Sequence, residues 1–241
     1  MLFADRRARR RILRRAVRCR GRAAVPFAFA FAFAFATPTV AAQDVAQAAA
    51  QRPHVSVMLS GAVDTRTASH NETIDGAFRT VAVQLSRPLF TVRGVHVAWL
   101  GEVMPAMLVT AGAPPNRVPT PATDPTEAND PRRLERYTIR DSYGVGFAPL
   151  GAEAAVSLSA NTHVLLNVTS GVAWFSRVVP YGKATQANFT VAPGLFLERR
   201  VGSRQALAVG YQLHHLSNAS MGGANPGMNS HIFSVRVSTL R

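Results

Sequence analysis

Eight short stretches of this chain alternate bulky apolar residues with small or polar ones, and this period-two pattern constrains the fold more than any other feature. His54 to Val63 sets Val55, Val57, Leu59, Gly61 and Val63 against Ser56, Met58, Ser60 and Ala62. The same grammar recurs in Phe78 to Ser86, Val95 to Met104, Ser142 to Leu150, Thr162 to Trp174, Asn188 to Glu198, Leu207 to Ser217 and His231 to Leu240. From His54 onward no run approaches the roughly 20 apolar residues that a spanning helix needs. Such strands build either a soluble sandwich or a closed barrel in an outer membrane. In a sandwich the polar face meets water and tolerates many long charged residues. Here that face is mostly Gly, Ala, Ser, Thr, Asn and Gln, with isolated Glu102, Glu198 and Arg236. Small polar residues suit the crowded interior of a narrow barrel, and Val, Leu, Phe and Trp suit lipid. The expected fold is therefore all-β, an eight-stranded antiparallel outer-membrane β-barrel spanning residues 54–241.

The connections favour the same fold. The odd-to-even links include Asp64 to Asp75, the Pro-rich Thr110 to Arg136, and Asn218 to Ser230, whereas Arg199 to Gln205 is a tight turn. Long loops on one side and short turns on the other are the outer-membrane habit. The link from Gly151 to Asn161 is longer than that habit predicts.

The N-terminus explains the charge. Residues 1–22 carry ten arginines and one aspartate, and an uncharged run dominated by FAFAFAFAFA follows, ending in small residues at Ala41 and Ala42. A basic segment, an apolar segment too short to stop transfer and a small-residue cut describe a secretory signal peptide over residues 1–42, with 43–53 a flexible lead-in. Taking ten arginines and one aspartate from the formal +14 leaves 17 basic and 12 acidic residues, a net of +5. The basic arm is thus a targeting signal, and no nucleic acid is expected as a partner. The single cysteine, Cys19, leaves with it, so no disulfide can staple the mature chain.

One segment carries chemistry. In Leu207 to Ser217 the odd positions form the bulky face, and His215 and Ser217 end it, side chains pointing the same way and able to share a hydrogen bond. A base beside a hydroxyl is the minimum arrangement for a nucleophile. Asn229 shares odd parity with Phe233, Val235 and Val237, which puts it on the same outer face of the neighbouring strand. His231 has outward parity too and is read as an interfacial histidine, with a substitute partner as the other reading, whereas His214 points inward.

The run HLSNASMGGANPGMN, residues 215–229, resembles the active-site segment of the outer-membrane lipid A 3-O-deacylase (PagL) family. The resemblance implies an eight-stranded barrel in the bacterial outer membrane that hydrolyses an ester-linked (3-hydroxy)acyl chain of lipopolysaccharide lipid A. It implies His215 as general base, Ser217 as nucleophile and Asn229 in the third place. Asn225, with Asn218 or backbone N–H groups near Ala219, would support the oxyanion. Lipid A in the outer leaflet is the implied partner, and a homodimer stays open; no cofactor and no metal is expected. Where the family carries the Glu that orients the histidine, this chain has Asn229, whose amide oxygen accepts the imidazole proton but brings no negative charge. The alternative is a barrel that kept the scaffold without catalysis and serves structure, adhesion or small-solute passage.

Overall fold

In the computed structural model the described residues are 54–69, 73–74, 76–112, 138–182 and 184–239. The expected signal peptide and lead-in, and most of the long Pro-rich loop, lie outside them. Eight strands follow in order: β1 His54–Thr67, β2 Gly76–Val92, β3 Val95–Ala111, β4 Ser142–Ser159, β5 Thr162–Val179, β6 Thr185–Arg200, β7 Gln205–Ser217 and β8 Met228–Thr239. Each pairs antiparallel with the next, and β1 pairs with β8, so the sheet closes into a barrel without a free edge.

Alternation assigns the two faces as the sequence predicts. On β7 and β8, Leu207, Val209, Tyr211, Phe233, Val235 and Val237 stand exposed, while Ala208, Gln212, His214, Ile232, Ser234 and Arg236 are buried. An exposed apolar band around a closed barrel is stable where lipid covers it. Among the described residues no helix is long and apolar enough to cross a membrane; the crossing elements are strands. Inside, Phe78, Phe175, Phe196, Leu100, Met104 and Met107 are buried between the strands, so the interior of the described barrel is packed with side chains.

The same core carries a polar cluster. Arg236 donates from Nη1 to Glu153 Oε2 at 2.6 Å and from Nη2 to Glu198 Oε2 at 3.2 Å. Gln84 links it to Glu102, accepting from Arg236 Nη1 at 3.4 Å and donating to Glu102 Oε2 at 2.6 Å. A buried guanidinium is tolerated because its fork is met by carboxylates.

One connection corrects the expected pattern. The link Gly151 to Asn161 is not a long loop: β4 runs on to Ser159 and the turn is only Ala160 and Asn161. Gly151, Ala152, Ala154 and Ala155 stay in ladder with Thr169, Val168, Leu166 and Leu165, but small side chains give no contrast between faces for the alternation to display. Arg93 and Gly94 form the β2–β3 turn, both with positive φ, the backbone of a tight two-residue hairpin. All three turns at this end are therefore short, and the long loops lie at the other.

The second correction concerns β1. Its register to β8 shifts between Ala62 and Asp64. This bulge inserts one residue and reverses the parity beyond it, so Thr65 and Thr67 turn inward and Asp64 and Arg66 turn out.

Candidate active site

The candidate residues gather where β7 ends, on the lipid-facing side of the long-loop end. β8 begins at Met228, so Asn229 is a strand residue, directly opposite His215 in the ladder. His215 Nδ1 lies 2.7 Å from Asn229 Oδ1. A carbonyl oxygen only accepts, so Nδ1 carries the proton and Nε2 is left as the basic nitrogen. On its other side His215 pairs with Val191 of β6, and both ring neighbours are thus fixed by sheet register.

Ser217 shares the outward face of His215, but among the described residues the two make no hydrogen bond to each other. The Ser217 hydroxyl instead donates to Asn225 Oδ1 at 3.2 Å and accepts from Asn225 Nδ2 at 3.0 Å and from Ala219 N at 3.3 Å. Two N–H donors thus converge on the serine oxygen, one from a side chain and one from the backbone.

The loop that brings them there is built around Asn218. Ala219 and Ser220 both have positive φ, and Met221 N donates back to Asn218 O at 2.9 Å, closing a tight turn. Non-glycine residues in the left-handed region are costly, and the Asn218 side chain offsets the cost locally. Its Oδ1 accepts from Ser220 N at 3.0 Å and its Nδ2 donates to Ala224 O at 2.9 Å. Asn218 is buried, and its amide is spent on holding the loop. Its backbone N–H donates to Asn225 Oδ1 at 3.2 Å, which orients the Asn225 amide toward Ser217.

The first loop docks on the last. Ser69 N donates to Pro226 O at 2.9 Å and Ala68 N to Gly227 O at 3.4 Å. Gly227 has φ of +57°, and a Cβ there would sit 2.8 Å from Ala68 Cβ, with His215 Cε1 at 3.6 Å. Only glycine allows this approach behind the histidine.

Alternation alone misses Asp64 and Arg66. The bulge places Arg66 opposite Asn229 and Asp64 opposite His231, with Arg66 Nε 2.7 Å from Asp64 Oδ2. An ion pair therefore flanks the amide at position 229 on the outer surface. His231 is not joined to His215; its Nδ1 is hydrogen-bonded to the Tyr211 hydroxyl. His214 points inward and its Nε2 bonds Thr190 Oγ1 at 2.8 Å. Below the polar cluster, Leu59, Val209, Gly210, Tyr211, Phe233, Ser234 and Val235 line an apolar groove of about 460 Å³ on the outer surface. Among the described residues no group of three or more His, Cys, Asp or Glu side chains is placed to hold a metal ion.

The fold and this cluster define a class: eight-stranded barrels of outer-membrane type with a histidine, a serine and amides on the lipid-facing rim. Within that class, the model of the lipid A 3-O-deacylase (PagL) family matches residues 129–238, the part of the chain that holds β4 to β7, β8 up to Ser238, and with them His215, Ser217, Asn218, Asn225 and Asn229. The chain resembles that family in sequence and in fold. The crystal structure of the outer-membrane enzyme PagL superposes with a TM-score of 0.51 at 14% identity, over 75% of this chain and 97% of that one. Neisserial surface protein A gives a TM-score of 0.43 at 9% identity, over 78% of this chain and 97% of that one. Ail, the attachment invasion locus protein of Yersinia pestis, gives 0.39 at 10% identity, over 78% and 97%. No curated protein matches the chain.

Proposed function

We propose that this chain is a lipid A deacylase-like ester hydrolase of the bacterial outer membrane, placed there after export directed by residues 1–42. The observation that carries the proposal is the 2.7 Å contact between His215 Nδ1 and Asn229 Oδ1 on the same outer face as Ser217. It fixes the tautomer that leaves Nε2 free to act as base. The family match over residues 129–238 supports the reaction class.

In this account the substrate ester arrives sideways, from the outer leaflet, with its acyl chain in the groove lined by Tyr211, Phe233 and Val209. The Ser217 hydroxyl leaves Asn225 Oδ1 and turns its proton toward His215 Nε2. As Oγ bonds to the carbonyl carbon, Nε2 takes that proton and the carbonyl oxygen becomes an oxyanion. Asn225 Nδ2 and Ala219 N, which already converge on Ser217, donate to it. Collapse expels the sugar oxygen, which takes the proton from Nε2, and leaves an acyl-serine. A water, deprotonated by Nε2, then releases the fatty acid and restores Ser217.

Asn229 holds the ring but leaves the imidazolium without a facing charge. In a serine protease the same exchange of carboxylate for amide costs about four orders of magnitude, partly by selecting the wrong tautomer. Here the amide oxygen, not its nitrogen, faces Nδ1, so the tautomer is preserved and only the charge is lost.

The missing charge also favours a second reading, a barrel that retains the scaffold and serves structure or adhesion. A long-chain alkyl fluorophosphonate separates the two. It should add one phosphonyl group to the peptide containing Ser217 in the wild type and none in Ser217→Ala; an unlabelled wild type would favour the non-catalytic barrel.

A further inference from the structure

The short turn between β6 and β7 gathers three arginines. Arg199 and Arg200 end β6, and Arg204 stands just before β7 opens at Gln205. Val201 N and Gly202 N donate to Gln205 O at 3.0 and 3.3 Å, so the backbone closes this turn without the arginine side chains. All three are exposed, and among the described residues none of their guanidiniums has a hydrogen-bond or ion-pair partner. The adjacent carboxylate is committed elsewhere. Glu198 turns inward, where its Oε2 accepts from Arg236 Nη2 at 3.2 Å and from Ser238 Oγ at 3.4 Å.

The ladder fixes the depth of these cations. Leu195 and Leu197 belong to the exposed apolar band, and Arg199 takes the next outward position on β6, opposite Leu207. Val201, also exposed, lies between Arg200 and Arg204. Leu207 and His215 are eight residues apart on β7. That is about 27 Å along the strand, and about 20 Å along the barrel axis at a tilt of about 40°. An apolar band is about 25 Å tall, so with His215 near the outer surface the arginines lie where acyl chains give way to periplasmic headgroups.

Chemistry decides what meets three unpaired cations at that depth. A guanidinium fork matches the oxygens of a phosphate, and an arginine stem lies along acyl chains while its head stays at the interface. Val201 adds an apolar contact between the heads. A zwitterionic lipid brings an ammonium with its phosphate and gains less than an anionic one. We infer that Arg199, Arg200 and Arg204 form a binding site for the headgroup of an anionic phospholipid in the periplasmic leaflet. A lipid held there also fixes the height of the barrel, and with it the depth of His215 and Asn229. The site is independent of the hydrolase proposal and stands whatever Ser217 does.

The test places the refolded full-length protein in phosphatidylcholine vesicles with a trace of nitroxide-labelled phosphatidylglycerol or phosphatidylcholine. Electron spin resonance reads the immobilised fraction of each label. The wild type should select phosphatidylglycerol by about fivefold, the worth of one arginine at an anionic surface. Arg199→Gln/Arg204→Gln should bring that ratio close to one. Arg87→Gln/Arg93→Gln removes two exposed arginines from β2 and its turn and should leave the ratio as it is. These side chains have no partner among the described residues, so heat-modifiable migration should match the wild type in both variants. No selectivity in the wild type contradicts the site. Equal loss in the two variants also contradicts it, because net charge alone would then explain the preference. Millimolar glycerophosphate should leave the preference intact; a preference that it abolishes would make this a site for soluble phosphates and overturn the lipid assignment.

Discussion

His215 and Asn229 face each other across the β7–β8 ladder, and the 2.7 Å contact between Nδ1 and Oδ1 joins two strand positions into one hydrogen-bonded pair. Sheet register, rather than loop conformation, holds the pair. A strand cannot slip by one residue without reversing every side chain on it, so the geometry is as secure as the barrel.

Replacing Asn229 by Glu keeps an acceptor opposite Nδ1 and adds the charge that the imidazolium lacks. Asn229→Glu should raise kcat by roughly 10- to 1,000-fold, a part of the four orders of magnitude that carboxylate removal costs elsewhere. Asn229→Ala should lower it. Steady-state turnover of a micellar acyl ester measures both, with KM changing little.

Asn225 and Asn218 should separate by kind of effect. Asn225→Ala removes the Nδ2 donor 3.0 Å from Ser217 Oγ and should cost about 100- to 1,000-fold in kcat, as loss of one oxyanion donor does. Asn218→Ala removes the bonds to Ser220 N and Ala224 O that brace the turn. Its effect should include easier proteolytic nicking of the loop, which Asn225→Ala should leave as in the wild type.

Gly227→Ala forces a Cβ to 2.8 Å from Ala68 Cβ at a φ of +57°. The contact between first and last loops should loosen at a cost of about 1–3 kcal/mol, because neither a left-handed alanine nor a backbone shift is free. The midpoint of heat-modifiable gel migration should fall, and activity with it, since this contact lies behind His215.

Arg236→Ala leaves Glu153 and Glu198 without their shared cation in the barrel interior. Breaking a buried pair from one side costs about 3–5 kcal/mol. Urea unfolding of the refolded barrel in detergent should show that loss. The triple change Arg236→Met, Glu153→Gln, Glu198→Gln should recover much of it by removing the stranded charges.

The barrel was legible because both faces wrote themselves into the sequence: Val235 and Val237 alternate with Ser234 and Arg236, and only lipid on one side with a narrow interior on the other suits that pairing. The same parity put His215, Ser217 and Asn229 on one outer face. Parity fails where one residue is inserted. The bulge between Ala62 and Asp64 is marked only by Gly61 just before it, which alternation reads as one more outward position, so Asp64 and Arg66 reach the outer surface beside His231 and Asn229 unannounced. Alternation also fixes faces without fixing rotamers. It permits a His215–Ser217 bond, yet the loop beyond β7 offers Ser217 an amide and a backbone N–H nearer at hand. The partner of His231 was hidden for a related reason, since Tyr211 reaches it diagonally from the next pair along β7.

The most direct measurement is mass spectrometry of lipid A incubated with the refolded wild type, Ser217→Ala and Asn229→Glu side by side. The account predicts loss of one ester-linked hydroxyacyl chain with the wild type, faster loss with Asn229→Glu, and an unchanged lipid with Ser217→Ala. Intact lipid A after incubation with both wild type and Asn229→Glu would contradict it, and so would a loss that persists without Ser217.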